Sequence, residues 1–504
     1  MRFYNRNTEL ALLLELSQRA EQFAQFTSII GRRRVGKTEL VRQHLNKNTL
    51  GEAKRGLYFF VEKRPSQALL TEFSECLKQS IPHAPIFSDW KDFFVFLFAE
   101  ATSPPVPLSK NWRGGNGPLV AVFDEFQNFL SVEPAVYSIL QGVWDEWHKR
   151  SKIHLIVIGS VVGLMKKVFQ DAKEPLYGRL TREITLTPLP LESVFQICSE
   201  LGFDTAEPTQ PKGFTSTEAI FTLYGIFGGM PRYYELIESM GLGGKSVKEI
   251  LQKALFSSFA PFRNEVREII LSEFGGNSYT YIAILEAIAT GKTRLSEIAG
   301  PAGLPATSLS KYMRELSDMF ELVQREVPVT ERTWKSKKSR YKIRDPFLAF
   351  WMRFVYRQLS IYEAGNYQYF LEKLDTYLAE FMGLAFEVII KELLQTLTLQ
   401  GKAPISFHKI GRWWNRQKEI DLVALNRDTG DALFVECKWT SNEVDIDVLH
   451  ELKRKSEDVP AGKGRRFYLL ASKSGFSNRL RQVQNDNIFL WDVPYITMLM
   501  RGLL

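Results

Sequence analysis

The chain has 504 residues, a length that suggests three or four domains, and its 45% hydrophobic and 24% charged residues let each domain bury a core. Three widely separated cysteines exclude a disulfide framework and a zinc site, and they favour a reducing cytoplasm. The net charge of +8 favours a polyanionic partner. The most apolar segment, residues 153–165, is too short to span a bilayer, and no secretory signal opens the chain. We therefore expect a soluble protein of the cytoplasm with no membrane partner.

The first predicted elements surround a glycine-rich loop. Leucines between residues 10 and 16 predict a helix whose N-cap is Asn7 or Thr8. An apolar strand then ends at Ile30, and a helical pattern begins at Thr38. Between them the chain matches G-x-x-x-x-G-K-[ST] in full. The loop consists of Gly31, Arg32, Arg33, Arg34, Val35, Gly36, Lys37 and Thr38.

A strand, a glycine-rich loop and a helix N-terminus together form a cradle for phosphates. Backbone N–H groups would surround the phosphates of ATP, Lys37 would reach the β- and γ-phosphate oxygens, and the Thr38 hydroxyl would ligate Mg²⁺. The three arginines at positions 32–34 either assist phosphate binding or face solvent, and we favour solvent. The loop predicts a nucleotide-binding protein.

A second apolar strand, residues 119–126, contains two acids near its end. In a parallel sheet beside the loop, Asp124 would hold Mg²⁺ through water, and Glu125 would orient and activate the attacking water. A further strand ends in Ser160, which would either lie between these acids and the γ-phosphate or cap the next helix. Arg179 follows in a turn, either as a surface arginine, which we favour, or as a finger that reaches a γ-phosphate in its own or a neighbouring subunit.

The order of these motifs, continued by residues 228–235, resembles the archaeal-type ATPases of the AAA+ superfamily, which are relatives of the STAND signalling ATPases. The resemblance covers roughly residues 1–270. It implies a helical lid over the adenine, to which Gly229 and Pro231 belong. Residues 4–10 resemble the family's hydrophobic-Gly-Arg-x-x-Glu-Leu motif, with Asn5 in place of the glycine.

Residues 273–345 show the layout of a winged helix. Three helical patterns between residues 281 and 316 are followed by two strand patterns that would form the wing. The basic stretch of the wing, from Arg332 to Arg344, would contact DNA phosphates. Two alternatives stay open, because such a charged loop is often simply solvated and winged helices also dock onto proteins.

The last domain presents four polar residues among apolar segments. Glu387 lies in a helical pattern and Asp421 begins a strand. Glu436 and Lys438 share one face of the following strand. Two carboxylates can hold Mg²⁺, and a lysine beside them can position or activate a water for attack on a phosphodiester. The alternative is a structural salt bridge between Glu436 and Lys438.

This pattern resembles the PD-(D/E)xK nuclease superfamily over about residues 376–504, and in particular the uncharacterised domain fused to many archaeal-type ATPases. The resemblance implies catalytic roles for Glu387, Asp421, Glu436 and Lys438. Basic and aromatic residues between Arg412 and Lys418 would track a nucleic-acid backbone.

The predicted fold class is α/β and multidomain. Its parts are a P-loop AAA+ core with a parallel sheet (1–193), a helical lid (194–272), a winged helix-turn-helix (273–345), connecting helices (346–375) and an α/β restriction-endonuclease-like domain (376–504). The predicted function is ATP hydrolysis with action on DNA, which includes Mg²⁺-dependent cleavage, and a homo-oligomer is compatible with it. The alternative is a nucleotide-operated signalling switch with a protein-docking winged helix and a silent nuclease fold.

Overall fold

The computed structural model describes residues 3–47, 55–102, 118–203, 216–274, 278–333, 336 and 338–503. The chain forms two compact units, of which the first is Met1–Pro188 with Asp318–Glu321 and the second is Leu189–Ser317 with Leu322–Leu504. None of the helices in the described part of the chain combines the length and the apolar character that a bilayer crossing requires.

The first unit alternates strands with helices, as expected for a parallel α/β sheet. In chain order its elements are α1 (Asn7–Arg19), β1 (Gln25–Ile30), α2 (Lys37–Lys47), β2 (Arg55–Phe60), α3 (Ser66–Ser80), α4 (Trp90–Glu100), β3 (Leu119–Asp124), α5 (Phe129–Val132), α6 (Ala135–Trp147), β4 (Ile153–Gly159), α7 (Val162–Gln170) and β5 (Arg182–Thr185).

The five strands lie in the order β2-β3-β4-β1-β5, and all of them are parallel. Strands β1, β3 and β4 are buried along their whole length, which explains their continuous apolar sequences. Because the strands are parallel, the glycine loop after β1, Asp124 at the end of β3 and Ser160 after β4 lie at the same edge of the sheet. β4 lies between β1 and β3, so these residues are neighbours at the carboxyl edge, where ligands bind in this class of fold. The first unit therefore contains the parallel α/β sheet that the sequence predicts.

The N-terminal helix begins differently from the prediction. Its N-cap residue is Arg6, whose carbonyl accepts a hydrogen bond from the Leu10 N–H at 2.9 Å, so the prediction of Asn7 or Thr8 as the cap was wrong. The buried Arg6 guanidinium donates to the carbonyls of Thr187 and Val35, at 2.5 and 3.4 Å. Asn5 has a positive φ of 46°, a conformation that glycine adopts freely and asparagine tolerates. Asn5, which replaces the glycine of the motif, therefore has the positive φ that a glycine at this position could adopt.

Two buried histidines connect the sheet to the helices in front of it. The Ser17 hydroxyl contacts His44 Nε2 at 3.0 Å and His154 Nδ1 at 2.8 Å, and the Thr27 hydroxyl contacts His154 Nε2 at 2.8 Å. Burial lowers the pKa of His44 to about 4. It also lowers the pKa of His154 well below its usual range, with a further contribution from His44. Both imidazoles are therefore neutral in the folded protein near pH 7.

This network predicts a loss of stability in mild acid. Between pH 6.5 and about 4 the unfolded chain binds a proton at His44 that the folded chain does not, so the stability present above pH 6.5 falls as the pH falls. From pH 7.5 to pH 5 we expect the free energy of unfolding to drop by about 2 kcal/mol from His44 alone. Denaturant unfolding at the two pH values measures the difference. A His44→Gln variant should show a weaker pH dependence, and an equal dependence in both proteins would contradict the assignment.

The second unit begins with helices and ends with a mixed sheet. Its elements are α8 (Leu191–Glu200), α9 (Ser216–Phe227), α10 (Pro231–Ser239), α11 (Val247–Ala254), α12 (Glu265–Phe274), α13 (Ser278–Ala289), α14 (Leu295–Ala299), α15 (Ala306–Arg314), β6 (Val323–Glu326), β7 (Arg340–Ile343), α16 (Pro346–Phe354), α17 (Leu359–Glu363), α18 (Tyr367–Leu399), β8 (Lys409–Trp414), β9 (Glu419–Leu425), β10 (Ala432–Lys438), α19 (Ile446–Ser456), β11 (Arg466–Ser472), α20 (Asn478–Arg481), β12 (Ile488–Asp492) and α21 (Val493–Arg501).

Helices α13 to α15 and the antiparallel hairpin of β6 and β7 lie where the winged-helix prediction places three helices and a wing. The segment that joins the two strands packs against the C-terminal sheet instead of standing free. Val329 is buried in the C-terminal core, and its N–H donates to the Arg412 carbonyl at 2.9 Å. Arg340 forms an ion pair with Glu419 at 2.7 Å.

The basic stretch of the predicted wing is therefore partly engaged within the chain. Lys338 forms an ion pair with Glu331 at 2.6 Å, and Lys342 forms one with Glu326 at 2.5 Å. Residues 334, 335 and 337, which belong to the same stretch, lie outside the described residues.

The C-terminal sheet has the order β12-β11-β10-β9-β8. Strands β8, β9 and β10 are antiparallel neighbours, whereas β10, β11 and β12 are parallel. One core cluster joins apolar side chains of β9, β10, β11 and α19. The helix α18 is 33 residues long and runs without a break through the predicted domain boundary at residue 376. A helix that contributes Phe386 to the C-terminal domain therefore begins in the segment assigned to the connecting helices.

Candidate functional site

The glycine loop connects β1 to α2. Gly36 has a φ of +96°, which non-glycine residues rarely adopt. A Cβ atom on Gly31 would lie 2.5 Å from the Leu186 carbonyl oxygen, so the backbone packs too closely there for any other residue. Lys37 is 7% exposed, and its ammonium donates to the carbonyls of Gly31 and Arg32 at 2.7 and 2.9 Å. The lysine thus lies along the loop that would surround the phosphates.

The other loop residues fulfil the solvent prediction only in part. Arg33 is exposed, whereas Arg32 and Arg34 are half-buried, and Val35 is buried. Arg34 has a positive φ of 67°, a costly backbone conformation for a residue other than glycine. Arg33 thus faces solvent, Arg32 and Arg34 do so in part, and a role of the three arginines in phosphate binding stays a prediction.

Asp124 lies at the end of β3, directly beside Thr38. The Thr38 hydroxyl donates to Asp124 Oδ2 at 2.9 Å, and the Glu125 N–H donates to Asp124 Oδ1 at 2.8 Å. Tyr58 of β2 also donates its hydroxyl to Asp124 Oδ2. Mg²⁺ at nucleotide sites takes few protein ligands, retains water and binds phosphate oxygens. The hydroxyl and carboxylate side by side fit that ion, with Thr38 as a ligand and Asp124 as its partner.

Glu125 turns its carboxylate towards the end of β4. Its φ of 55° is left-handed, and its Oε2 accepts hydrogen bonds from the Ser160 hydroxyl at 2.8 Å and from the Gln127 amide. Helix α7 has Val161 as its N-cap and no side-chain cap, so Ser160 does not serve as a helix cap. Ser160 and Gln127 instead hold the carboxylate that is the candidate base.

Arg179 is engaged within its own unit. Its guanidinium forms two hydrogen bonds with Asp145 of α6, at 3.0 and 2.7 Å, and two more with the carbonyls of Pro175 and Tyr177, at 2.7 and 3.0 Å. The structure thus shows a partly buried surface ion pair. The alternative role as a finger requires Arg179 to leave Asp145.

The predicted lid residues lie in the second unit. A Cβ atom on Gly229 would lie 1.8 Å from the Leu189 carbonyl oxygen, and the Leu189 N–H donates to the Gly229 carbonyl at 2.7 Å. Pro231 occupies the first turn of α10, where its missing N–H costs nothing. These contacts explain both residue types structurally, and the adenine role stays a prediction.

The C-terminal domain brings Asp421 and Glu436 together across β9 and β10. The pairing of Val435 with Leu422 brings the two acids next to each other, and Asp421 Oδ2 accepts a hydrogen bond from the Cys437 N–H at 2.8 Å. Burial, followed by repulsion from Glu436, raises the pKa of Asp421 to about 6. Two carboxylates that repel each other in a buried place would be stabilised by a cation.

Two lysines contact one oxygen of Glu436. Lys438 Nζ lies 2.8 Å from Glu436 Oε1, as the shared strand face predicts. Lys455 Nζ, on α19, lies 3.5 Å from the same oxygen. The other oxygen, Oε2, is buried and has no hydrogen-bond partner in the part of the chain that the structure describes. Glu436 therefore offers one oxygen to a further ligand.

Glu387 lies nearby but pairs with an arginine. Its Oε2 is 3.3 Å from Arg412 Nε, and Arg412 Nη2 is 2.6 Å from Glu419 Oε1. Burial raises the pKa of Glu387 to about 8, with Arg412 opposing the shift and Asp421 adding to it. Glu387 thus lies within electrostatic reach of Asp421 and pairs with Arg412, and its catalytic role stays a prediction.

The neighbouring tryptophans do not form a stacking surface. Trp413 and Trp414 are each 4% exposed, and the Arg340 guanidinium lies over the Trp414 ring at 4.5 Å. The prediction that aromatic residues here track a nucleic acid was wrong, because Trp413 packs in the C-terminal core and Trp414 is buried with the Arg340 guanidinium over its ring.

The Asp421–Glu436 pair supplies fewer protein ligands than a metal site built from the protein alone. No group of three or more His, Cys, Asp or Glu side chains among the described residues is arranged to hold a metal ion. The C-terminal pair offers two carboxylates with one unpartnered oxygen, which fits Mg²⁺ only with water or substrate oxygens as its remaining ligands.

Two family models match the chain. Residues 3–237 match a model described as an ATPase domain predominantly from Archaea. Residues 351–452 match a model described as archaeal and bacterial proteins of unknown function. An uncharacterized protein of Methanocaldococcus jannaschii is 30% identical over 493 residues, which are 97% of this chain and 99% of that protein.

Solved structures offer more distant similarity. The Walker-type ATPase of Pyrococcus abyssi is 19% identical with a TM-score of 0.45, over 70% of this chain and 96% of that one. The ORC2 protein of Aeropyrum pernix in its ADPNP–ADP complexes is 15% identical with a TM-score of 0.45, over 72% and 94% of the two chains. At these TM-scores neither structure bears on function.

Proposed function

We propose that this protein is an AAA+-type ATPase that acts on DNA. The premise is that the chain belongs to the family of its Methanocaldococcus jannaschii relative and carries an ATPase domain of predominantly archaeal type. In this proposal the C-terminal domain cleaves DNA in a Mg²⁺-dependent reaction. The observation that carries the second activity is the pair formed by the half-buried Asp421 and the buried Glu436, with Lys438 beside it and a Glu436 oxygen that has no hydrogen-bond partner among the described residues.

At the first site, Lys37 and the loop N–H groups would bind the β- and γ-phosphates of ATP. Glu125, held by Ser160 and Gln127, would accept a proton from the attacking water. Mg²⁺ beside Thr38 and Asp124 would neutralise charge on the phosphate oxygens. Gly229 and Pro231 would belong to a lid over the adenine, and Arg179 would act as a finger after release from Asp145.

At the second site, Asp421 and Glu436 would hold Mg²⁺, which supplies charge stabilisation when bound. Lys438 would position or activate a water for attack on the phosphodiester. Glu387, which pairs with Arg412 in the structure, would take part in catalysis at the same site. Residues 273–345 would act as a winged helix that binds the duplex, and copies of the chain would assemble into a homo-oligomer in the cytoplasm.

A cleavage assay tests the proposal. Purified protein is incubated with Mg²⁺ and single-stranded, duplex or branched DNA, with and without ATP, and products are resolved by length. We expect cleavage of at least one DNA form that EDTA abolishes. Hydrolysis of ATP without cleavage of any form would refute the nuclease and leave the ATPase intact.

A second candidate function is a nucleotide-operated switch with a silent C-terminal domain. It is favoured by the ion pairs that neutralise the predicted nuclease residues, Glu387 with Arg412 and Glu436 with two lysines. The intramolecular pairs of the wing favour it as well. Binding to duplex DNA measured against salt separates the two, because several phosphate contacts produce a steep slope and a protein-docking module does not.

A further inference from the structure

The hydrogen bonds of Asp124 come from three different elements. Thr38 at the start of α2 and Tyr58 of β2 both donate to Oδ2, and the N–H of Glu125 donates to Oδ1. A carboxylate has roughly four lone-pair directions that accept hydrogen bonds. Donors among the described residues occupy three of these directions, so the Asp124 carboxylate has about one direction left.

The sheet explains how Tyr58 reaches this place. Strand β2 lies at the edge of the sheet and pairs in parallel with β3, with Tyr58 opposite Val122 and Phe60 opposite Asp124. Side chains alternate along a strand, so Tyr58 and Asp124 share one face. Phe59 points to the other face, where its ring stacks on Phe123 at 4.9 Å.

We infer that Tyr58 is a positioning residue for the Mg²⁺ of the ATPase site, an inference that rests on the proposed function. The hydroxyls of Tyr58 and Thr38 and the Glu125 N–H fix the rotation of the Asp124 carboxylate. The single remaining acceptor direction suits one metal-bound water. Thr38 would be the direct protein ligand of the ion, and Asp124 would hold the ion through that water. Partners of this kind around a metal ligand typically change metal affinity by about 10–100-fold.

The alternative is that the Tyr58 hydroxyl only supports the fold. Tyr58 as a residue is half-buried, and removal of its hydroxyl would take one hydrogen bond from Asp124 Oδ2. A suitable comparison is Tyr137 of α6, whose buried hydroxyl donates to the Phe126 carbonyl at 3.1 Å in the same unit. The substitutions Tyr58→Phe and Tyr137→Phe each keep the aromatic ring and delete one hydroxyl hydrogen bond. Of these two hydroxyls, the one on Tyr58 donates to Asp124, whereas the one on Tyr137 donates to the Phe126 carbonyl.

Binding of Mn²⁺ to the protein–ADP complex, measured by electron paramagnetic resonance, tests the inference with Mn²⁺ as the probe. We expect Tyr58→Phe to weaken Mn²⁺ binding about tenfold, with ADP binding in EDTA unchanged. Tyr137→Phe should bind Mn²⁺ within about twofold of the wild-type protein, although it loses stability through the unpaired Phe126 carbonyl.

Three results would count against the inference or its premise. Equal Mn²⁺ affinity in Tyr58→Phe and the wild-type protein overturns the positioning role. An equal loss in both Phe variants also overturns it, because the effect then follows stability and not the contact with Asp124. Failure of the wild-type protein to bind ADP at all refutes the ATPase site itself, which is a different outcome from either of these.

Discussion

Replacing Glu125 with Gln should lower the turnover number for ATP by a factor of about 10²–10⁴, the usual contribution of a general base. The amide keeps the size of the side chain and can still accept the hydrogen bond from Ser160, which the structure gives to Glu125 Oε2. It cannot accept a proton from water. We therefore expect ATP to bind as in the wild-type protein while hydrolysis nearly stops.

Phosphate release under single-turnover conditions and equilibrium binding of ATP measure the two quantities separately. Glu146→Gln is the matched control, because Glu146 lies exposed on α6 of the same unit and pairs with the neighbouring Arg150 at 2.9 Å. That control should hydrolyse ATP at the wild-type rate. If Glu125→Gln hydrolyses ATP at the wild-type rate, Glu125 is not the general base and another group accepts the proton.

Replacing Lys438 with Ala should reduce DNA cleavage by a factor of about 10²–10³, the loss typical for one preorganised charge at a reacting centre. The Lys438 ammonium lies 2.8 Å from Glu436 Oε1 and 36% of its side chain is exposed, so it can contact both the acid pair and a substrate. ATP hydrolysis should be unchanged, because Lys438 belongs to the other unit.

Lys253→Ala controls for the loss of one positive charge. Lys253 lies exposed on α11 and pairs with Glu249 at 2.9 Å. Cleavage that survives in Lys438→Ala but not in Glu436→Gln would show that metal binding matters and the lysine does not. If Lys438→Ala and the wild-type protein cleave equally, the observed activity comes from another site or a contaminant.

The sequence predicts those parts of the sites that are local along the chain. The loop from Gly31 to Thr38 has a fixed spacing, and Glu436 and Lys438 share a face because they are two residues apart on one strand. The acids at 124 and 125 are recognised by their place at the end of an apolar strand. All of these are recognisable in the printed order of residues.

Partners that depend on the packing of distant elements were missed. Tyr58 reaches Asp124 only because β2 pairs with β3, and Lys455 reaches Glu436 only because α19 crosses over β10. Arg412 was identified as a residue for nucleic-acid contact, yet its position on β8 directs it towards Glu387. No spacing in one sequence encodes such a contact, because sheet order and helix placement are set by the core as a whole.

The segment that joins β6 and β7 has a consequence for the outer edge of the C-terminal sheet. Strand β8 is the last strand on its side, and an open edge strand is a template for pairing with other chains. The Val329 N–H donates a hydrogen bond to the Arg412 carbonyl of β8, and the Lys409 ammonium donates one to the Glu331 carbonyl at 2.9 Å. These two contacts cover part of the β8 edge, and a fragment cut at residue 376 would lack both of them and the first turns of α18.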